Sequence, residues 1–252
     1  MAKQEIILDS DKVSQKYFYP SYSNFENPYY VESGNNQLAC YYHKIENPKK
    51  TIIHFHGNGE VVSDYIGLFS QQIEALGCSI LFAEYRGYGL STGDSPSLVS
   101  MLDDVERIIK SIDVPLEEIV LFGRSVGSIY ALHGAFISPN ISGLVIESGI
   151  ANVATRVLKY MRKPKSAIRE QIRAEGREYF DHEQKLKAFQ GKTLILHTLY
   201  DSLVHASNAR RLYEWADEPK QLELFLRGDH NDIFFVNEKE YFRVLGEFID
   251  GI

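Results

Sequence analysis

The sequence predicts an α/β fold in which a mostly parallel central sheet carries helices on both faces. Three observations lead there. From Thr51 onward, apolar runs of four to six residues alternate with helical patterns of ten to fifteen, the signature of βα units that bury both faces of a parallel sheet. Tight glycine-containing turns follow several of these runs. The length of 252 residues suits one large domain with a modest insertion.

The elements follow in order. Met1 to Asp11 hold only Ile6, Ile7 and Leu8 as an apolar run, too short for a signal-peptide core, so a cytoplasmic protein is expected. Up to residue 45 the chain is rich in tyrosine and phenylalanine without helical periodicity. Tyr29-Tyr30-Val31 and Leu38 to Tyr42, separated by Gly34-Asn35-Asn36, predict two antiparallel edge strands joined by a turn. Thr51 to Phe55 reads as a buried strand, followed by His56-Gly57-Asn58-Gly59 and an amphipathic helix from about Ser63 to Leu76, closed by Gly77. The unit recurs as Ser79 to Ala83 with a helix near Pro96 to Ser111, then as Ile119 to Phe122 with a helix from Ser125 to about Phe136. After Leu144 to Glu147 come Thr193 to His197 with a helix from His205 to Trp215, and Leu222 to Leu226 with a last helix from about Asn237 to Phe248. Residues 151–190 hold no strand-like run. They are expected to form a small helical cap, inserted in a single domain of residues 1–252 above the carboxyl ends of the strands, where open α/β sheets bind ligands.

Composition excludes several classes. Hydrophobic residues make up 44% and charged residues 24%, and no segment approaches the ~20 continuous apolar residues that span a bilayer. A net charge of −7 argues against the evenly basic footprint of nucleic-acid binding. Cys40 and Cys78 sit in apolar, strand-like surroundings and read as buried free thiols.

The strongest local signal is Gly123-Arg124-Ser125-Val126-Gly127, preceded by an apolar strand and followed by a helix. That context lifts a serine above the sheet edge and aims the backbone donors of the helix start at charge developing beside it. A serine hydroxyl needs a base, and the base an orienting acid. Downstream, Asp201 and His230 each fall just past the carboxyl end of a strand, on the same side as Ser125. Asp229 and Asp232 compete with Asp201 as the acid, and His205 and His197 with His230 as the base. Oxyanion stabilisation is expected from the backbone N–H groups of Val126 and Asn58, with Gly59 as the alternative to Asn58. His54 and His56 raise a metal reading, but two histidines without a nearby acidic or thiol ligand fall short of the three protein ligands of catalytic zinc. His56 is expected to brace the oxyanion loop. No G-x-G-x-x-G or G-x-x-x-x-G-K-[ST] pattern points to a nucleotide, so no cofactor is expected.

These motifs, together with Glu84-Tyr85-Arg86-Gly87-Tyr88-Gly89-Leu90-Ser91-Thr92-Gly93, Glu147-Ser148-Gly149 and Gly228-Asp229-His230-Asn231-Asp232, resemble the α/β-hydrolase superfamily, and more narrowly the Bem46-like serine hydrolases related to depalmitoylating thioesterases. The resemblance implies the α/β-hydrolase fold, with Ser125 as nucleophile, His230 as base, Asp201 as acid and the Asn58 and Val126 amides as oxyanion hole. It also implies cleavage of carboxylic esters or thioesters through an acyl-enzyme; a peptidase or amidase, or a catalytically silent binding module, are the alternatives. Similar proteins have aspartate where Glu84 stands and glycine where Thr198 stands. These changes are expected to alter loop packing rather than chemistry.

Between Arg156 and Lys187 ten basic residues face five acidic ones. Arg169, Arg173 and Arg177 recur every fourth residue and share one stripe if helical. The stripe is either a solvated face or a steering patch for an anionic acyl substrate or a peripheral anionic lipid surface.

Overall fold

Eight strands form one sheet in the computed structural model, which describes residues 6–252. They are β1 (Tyr29–Ser33), β2 (Asn36–His43), β3 (Lys50–Phe55), β4 (Cys78–Ala83), β5 (Ile119–Arg124), β6 (Gly143–Glu147), β7 (Lys192–Thr198) and β8 (Lys220–Phe225). The order across the sheet is β1-β2-β4-β3-β5-β6-β7-β8. The first two junctions are antiparallel and the other five parallel. This is the α/β-hydrolase fold. The expected pair of edge strands is present, but only β1 is an edge, because β2 is paired on its other side with β4.

Successive strand residues point to opposite faces, and the core divides accordingly. Ile53, Leu81, Leu121 and Ile195 pack on one side with helices α3 (Leu102–Ser111), α4 (Gly127–Ile137) and α8 (Ser207–Trp215). Ile52, Ile80, Val120 and Leu194 pack on the other with α2 (Leu68–Ala75) and the last helix, α9 (Glu238–Asp250). Each such side chain, fully withdrawn from water, contributes about 1.5–3 kcal/mol of transfer free energy. Cys40 and Cys78 are free and buried. Burial pushes the Cys40 thiol up to about 12, so it stays a packing group.

Three elements differ from expectation. The helix expected from Ser63 starts only at Leu68, because Gly67 adopts φ +112° and interrupts the helical path. The helix expected near Pro96 starts at Leu102; the preceding backbone is held instead by Asp9, whose Oδ1 accepts from the N–H groups of Val99 (2.7 Å) and Ser100 (3.0 Å). The aromatic N-terminal region also contains a helix, α1 (Asp11–Tyr17). Seven residues are too few to be helical alone. Packing supplies the stability, with Tyr17 edge-on to Tyr160 at 5.8 Å. Of the Met1–Asp11 stretch read for a leader, the first five residues lie outside the described residues. No helix among the described residues is long and apolar enough to cross a membrane.

Residues 151–190 form three helices between β6 and β7: α5 (Val153–Tyr160), α6 (Ser166–Tyr179) and α7 (His182–Ala188). Buried Glu175 of α6 accepts from the N–H groups of Ile7 (2.9 Å) and Leu8 (2.8 Å), which ties the N-terminal segment to this cap. At the start of α7, buried His182 donates from Nδ1 to the Ile150 carbonyl (2.9 Å). Burial, and then the Lys185 charge, push its pKa down to about 3. Below the ordinary histidine value of about 6.5 the unfolded chain takes up a proton that the folded chain refuses. His182 therefore favours folding fully above about pH 6.5, and that contribution is lost as pH falls toward 3. We expect a shallower acid decline of Tm between pH 6.5 and 4 in His182→Gln; a parallel decline in both proteins would exclude His182 as its source.

Candidate active site

Ser125 sits in the turn between β5 and α4 with φ +52°, a left-handed conformation that non-glycine residues seldom adopt and that marks strained, functional turns. Its N–H donates to the Glu147 carbonyl (2.8 Å), which carries the β5–β6 pairing past the end of the strand. The flanking glycines are sterically required. A Cβ on Gly127 would stand 1.9 Å from the Phe55 carbonyl oxygen, and one on Gly123 would stand 2.5 Å from the Gly127 oxygen.

The structure brings Asp201, His230 and Ser125 into one hydrogen-bonded chain. His230 Nδ1 donates to Asp201 Oδ2 at 2.7 Å, and its Nε2 lies 2.9 Å from Ser125 Oγ, placed to accept the hydroxyl proton. Asp201 Oδ1 accepts from the N–H groups of Leu203 (2.9 Å) and Val204 (2.6 Å). Burial opposes the Asp201 charge, but the hydrogen bond and charge of His230, followed by the Val204 N–H, outweigh it and hold the carboxyl below its ordinary range. The anion fixes the ring tautomer that leaves Nε2 with a free lone pair.

The competing residues have other partners. Asp229 accepts from the N–H groups of His230 (2.7 Å) and Ser202 (2.7 Å), and Asp232 from that of Asp229 (2.6 Å), so both shape the loop that carries His230. His197 donates from Nε2 to the Val204 carbonyl (2.7 Å). His205 is exposed, beside Ser207.

Asn58 and Val126 line a cavity of about 400 Å³ together with Ser125 and His230. The Asn58 side chain is occupied: Oδ1 accepts from the Tyr88 hydroxyl (2.8 Å) and the Tyr19 N–H (3.0 Å), and Nδ2 donates to the Tyr17 carbonyl. Neither backbone N–H, of Asn58 or of Val126, has an acceptor among the described residues. His56 braces the same loop, with Nδ1 at 2.8 Å from the Gly57 carbonyl and Nε2 at 2.7 Å from Glu84 Oε1. The ring of His54 lies instead among Tyr65, Phe69, Phe82 and Phe122, so the two histidines share no site. No group of three or more potential metal ligands occurs among the described residues.

The arginine stripe lies elsewhere. Arg173 and Arg177 line a separate cavity with the start of α5 and Trp215, and Arg169 does not line the Ser125 cavity. The reason is packing: α6 buries Ile172, Glu175 and Gly176, and its Gly176 lies so close to Ala154 of α5 that a Cβ there would be 2.7 Å from the alanine methyl. Helix α5 itself, through Arg156 and Tyr160, forms the cap's share of the Ser125 cavity. Tyr17, Tyr19, Ile150 and Leu203 complete much of the wall.

Sequence reasoning assigned no role to Arg124, the residue before the serine. Its guanidinium pairs with Glu60 through Nη1, lies 3.0 Å from Glu147 Oε1 through Nε, and donates through Nη2 to the His230 carbonyl (2.8 Å). Burial disfavours its charge, but nearby Tyr65, Glu60 and Glu147 more than offset this and keep it protonated. The available signal was a charged residue at the end of an apolar strand, which must find a counter-ion when buried.

Comparison with known proteins agrees with this architecture. An esterase of Pyrococcus furiosus superposes with a TM-score of 0.72 at 17% identity, over 92% of this chain and 98% of its own. Mouse alpha/beta hydrolase domain-containing protein 10 gives 0.68 at 17%, over 89% and 99%. Among curated sequences, the uncharacterized protein YfhR of Escherichia coli is 29% identical over 79% of this chain and 69% of its own length. Human alpha/beta hydrolase domain-containing protein 17B is 25% identical over 80% and 67%. The family profile described as serine aminopeptidase, S33, matches residues 46–182, more than half of the sequence, and the chain belongs to that family of hydrolases.

Proposed function

We propose that the protein is a serine hydrolase that cleaves carboxylic ester or thioester bonds through an acyl-enzyme, near the Bem46-like group within its family. The carrying observation is the Asp201–His230–Ser125 chain, with links of 2.7 and 2.9 Å, opening on the cavity that Asn58 and Val126 also line. In this reading His230 Nε2 takes the Ser125 proton as Oγ attacks the carbonyl carbon, and the two amides stabilise the oxyanion. The imidazolium, held by ionised Asp201, then gives its proton to the leaving oxygen or sulfur. A water, deprotonated by the same nitrogen, releases the acid and restores the serine. Residues 151–190 act as a cap on one domain.

The S33 description makes an aminopeptidase the second reading. Such an enzyme must hold the free α-ammonium of its substrate, yet no aspartate or glutamate is among the described residues lining the cavity; of its two arginines, Arg124 is matched by Glu60 and Glu147, and Arg156 donates to the Leu203 carbonyl and forms no ion pair among the described residues. That balance favours neutral or anionic acyl compounds over amines. The deciding experiment combines fluorophosphonate labelling with parallel assays of acyl esters, acyl thioesters and aminoacyl amides. We expect labelling and turnover of the first two classes. His230→Ala should remove most of both, whereas His205→Ala should retain them; the reverse ranking would move the base to His205.

A further inference from the structure

A second, smaller cavity of about 210 Å³ adjoins the one at Ser125. Ile150, Arg156 and Leu203 line both. The other ionisable groups of the smaller cavity are Lys159 of α5, His205 just before α8, and Arg211 of α8, with no aspartate or glutamate in its wall. Among the described residues, Arg156, Lys159 and Arg211 form no ion pair. Their fixed contacts are neutral: Arg156 Nη1 donates to the Leu203 carbonyl (2.8 Å) and its guanidinium stands 5.3 Å from the Tyr160 ring centroid, while that of Arg211 stands 5.9 Å from the Trp215 centroid. Such contacts orient a cation without cancelling its charge. In a chain of net charge −7, three uncompensated cations around one recess focus a positive field beside the reacting serine.

We propose that this recess is a subsite for an anionic group, a carboxylate, sulfonate or phosphate, carried by the substrate whose scissile carbonyl lies at Ser125. The inference rests on the serine-hydrolase reading above and narrows it to anionic acyl compounds. Arg156, at the wall between the two cavities, faces the stretch of substrate between carbonyl and anion. Lys159 and Arg211 meet the anion itself, and charge-assisted hydrogen bonds to carboxylate or phosphate are the strongest that such side chains make. The interaction lies away from the carbonyl under attack. It therefore acts on capture of substrate and is weakened by salt.

The test compares substrates matched except for charge. One series places the anion on the leaving group, as acyl thioesters of mercaptoethanesulfonate against those of mercaptoethanol. The other places it on the acyl group, as para-nitrophenyl monoesters of dicarboxylic acids of increasing length against their methyl-capped counterparts. In at least one pair the wild-type protein should favour the charged member about tenfold in kcat/KM at low ionic strength, with the ratio shrinking once the Debye length falls to about 10 Å near 0.1 M salt. The double variant Lys159→Gln/Arg211→Gln should bring that ratio toward one, and Lys159→Arg/Arg211→Lys should keep it. Inorganic phosphate should compete with the charged substrate and lose this effect in the double glutamine variant. If phosphate instead altered turnover of the neutral substrates, the recess would take a free anion and the proposal would be overturned. It would be overturned equally by absence of discrimination in every pair, or by a double variant that lowers both members alike. Fluorophosphonate labelling separates the two levels: wild-type protein that is labelled at Ser125 but shows no charge preference in any pair counts against the subsite alone, whereas unlabelled wild-type protein removes the hydrolase reading beneath it.

Discussion

Ser125→Ala should abolish fluorophosphonate labelling and lower kcat by at least about 10³ on any ester that the wild-type protein turns over. The fold should survive. The hydroxyl's hydrogen bond is to His230 Nε2, so its removal costs about 1 kcal/mol, a shift of a few degrees at most in Tm. Alanine keeps the same left-handed backbone requirement as serine, since both carry a Cβ, and Gly123 and Gly127 still allow the turn to close on β3. KM should change less than kcat, because the lost atom acts on the reacting carbonyl. A folded Ser125→Ala protein with near-normal turnover would end the assignment of this residue as nucleophile.

The second large effect is on stability. Arg124→Met should destabilise the fold by about 3–5 kcal/mol, the range for breaking a buried ion pair from one side, because Glu60 and Glu147 would lose the cation between them. The loss has a pH signature. Burial already raises the Glu147 pKa, and Arg124 is the main influence pulling it back. Without Arg124 the carboxyl rises further above its unfolded value. A raised folded pKa favours the folded state below the unfolded value and loses that contribution as pH rises through the folded one, so the variant should be most impaired at alkaline pH and partly relieved in mild acid. Chemical denaturation at several pH values measures both features; a loss below about 1 kcal/mol that does not vary with pH would contradict the ion-pair account. Arg124→Lys should rescue little, because one ammonium cannot meet Glu60, Glu147 and the His230 carbonyl from three directions. Any accompanying loss of activity would follow from slackening of the loop that carries His230.

Much of the parallel sheet was legible because its strands are apolar runs buried on both faces, and such runs leave a plain mark in sequence. Residues Cys78 to Ala83 and Gly143 to Glu147 are buried throughout. The turn at Ser125 was legible for a steric reason, since Gly123 and Gly127 stand where a Cβ would strike backbone. Helix starts were less so. Leu102 begins α3 behind a stretch whose backbone is held by Asp9, ninety residues earlier in the chain, and α1 is stabilised by packing against a cap that follows more than a hundred residues later. Neither cause is local.

The sequence by itself determined the α/β alternation, the strained turn that carries Ser125, and the short set of acids and bases at strand ends from which a partner for it had to come. Those features depend on side-chain size, backbone freedom and periodicity, all of which act within a few residues. Only the tertiary structure places Asp201, rather than Asp229 or Asp232, against His230 Nδ1, while the other two tie the loop backbone. It likewise put Arg156 of α5, rather than Arg169, Arg173 and Arg177 of α6, beside Ser125. A charge count along a helical segment gives the spacing of a stripe but not its direction, which is set by the face that Ile172, Glu175 and Gly176 bury against the rest of the molecule.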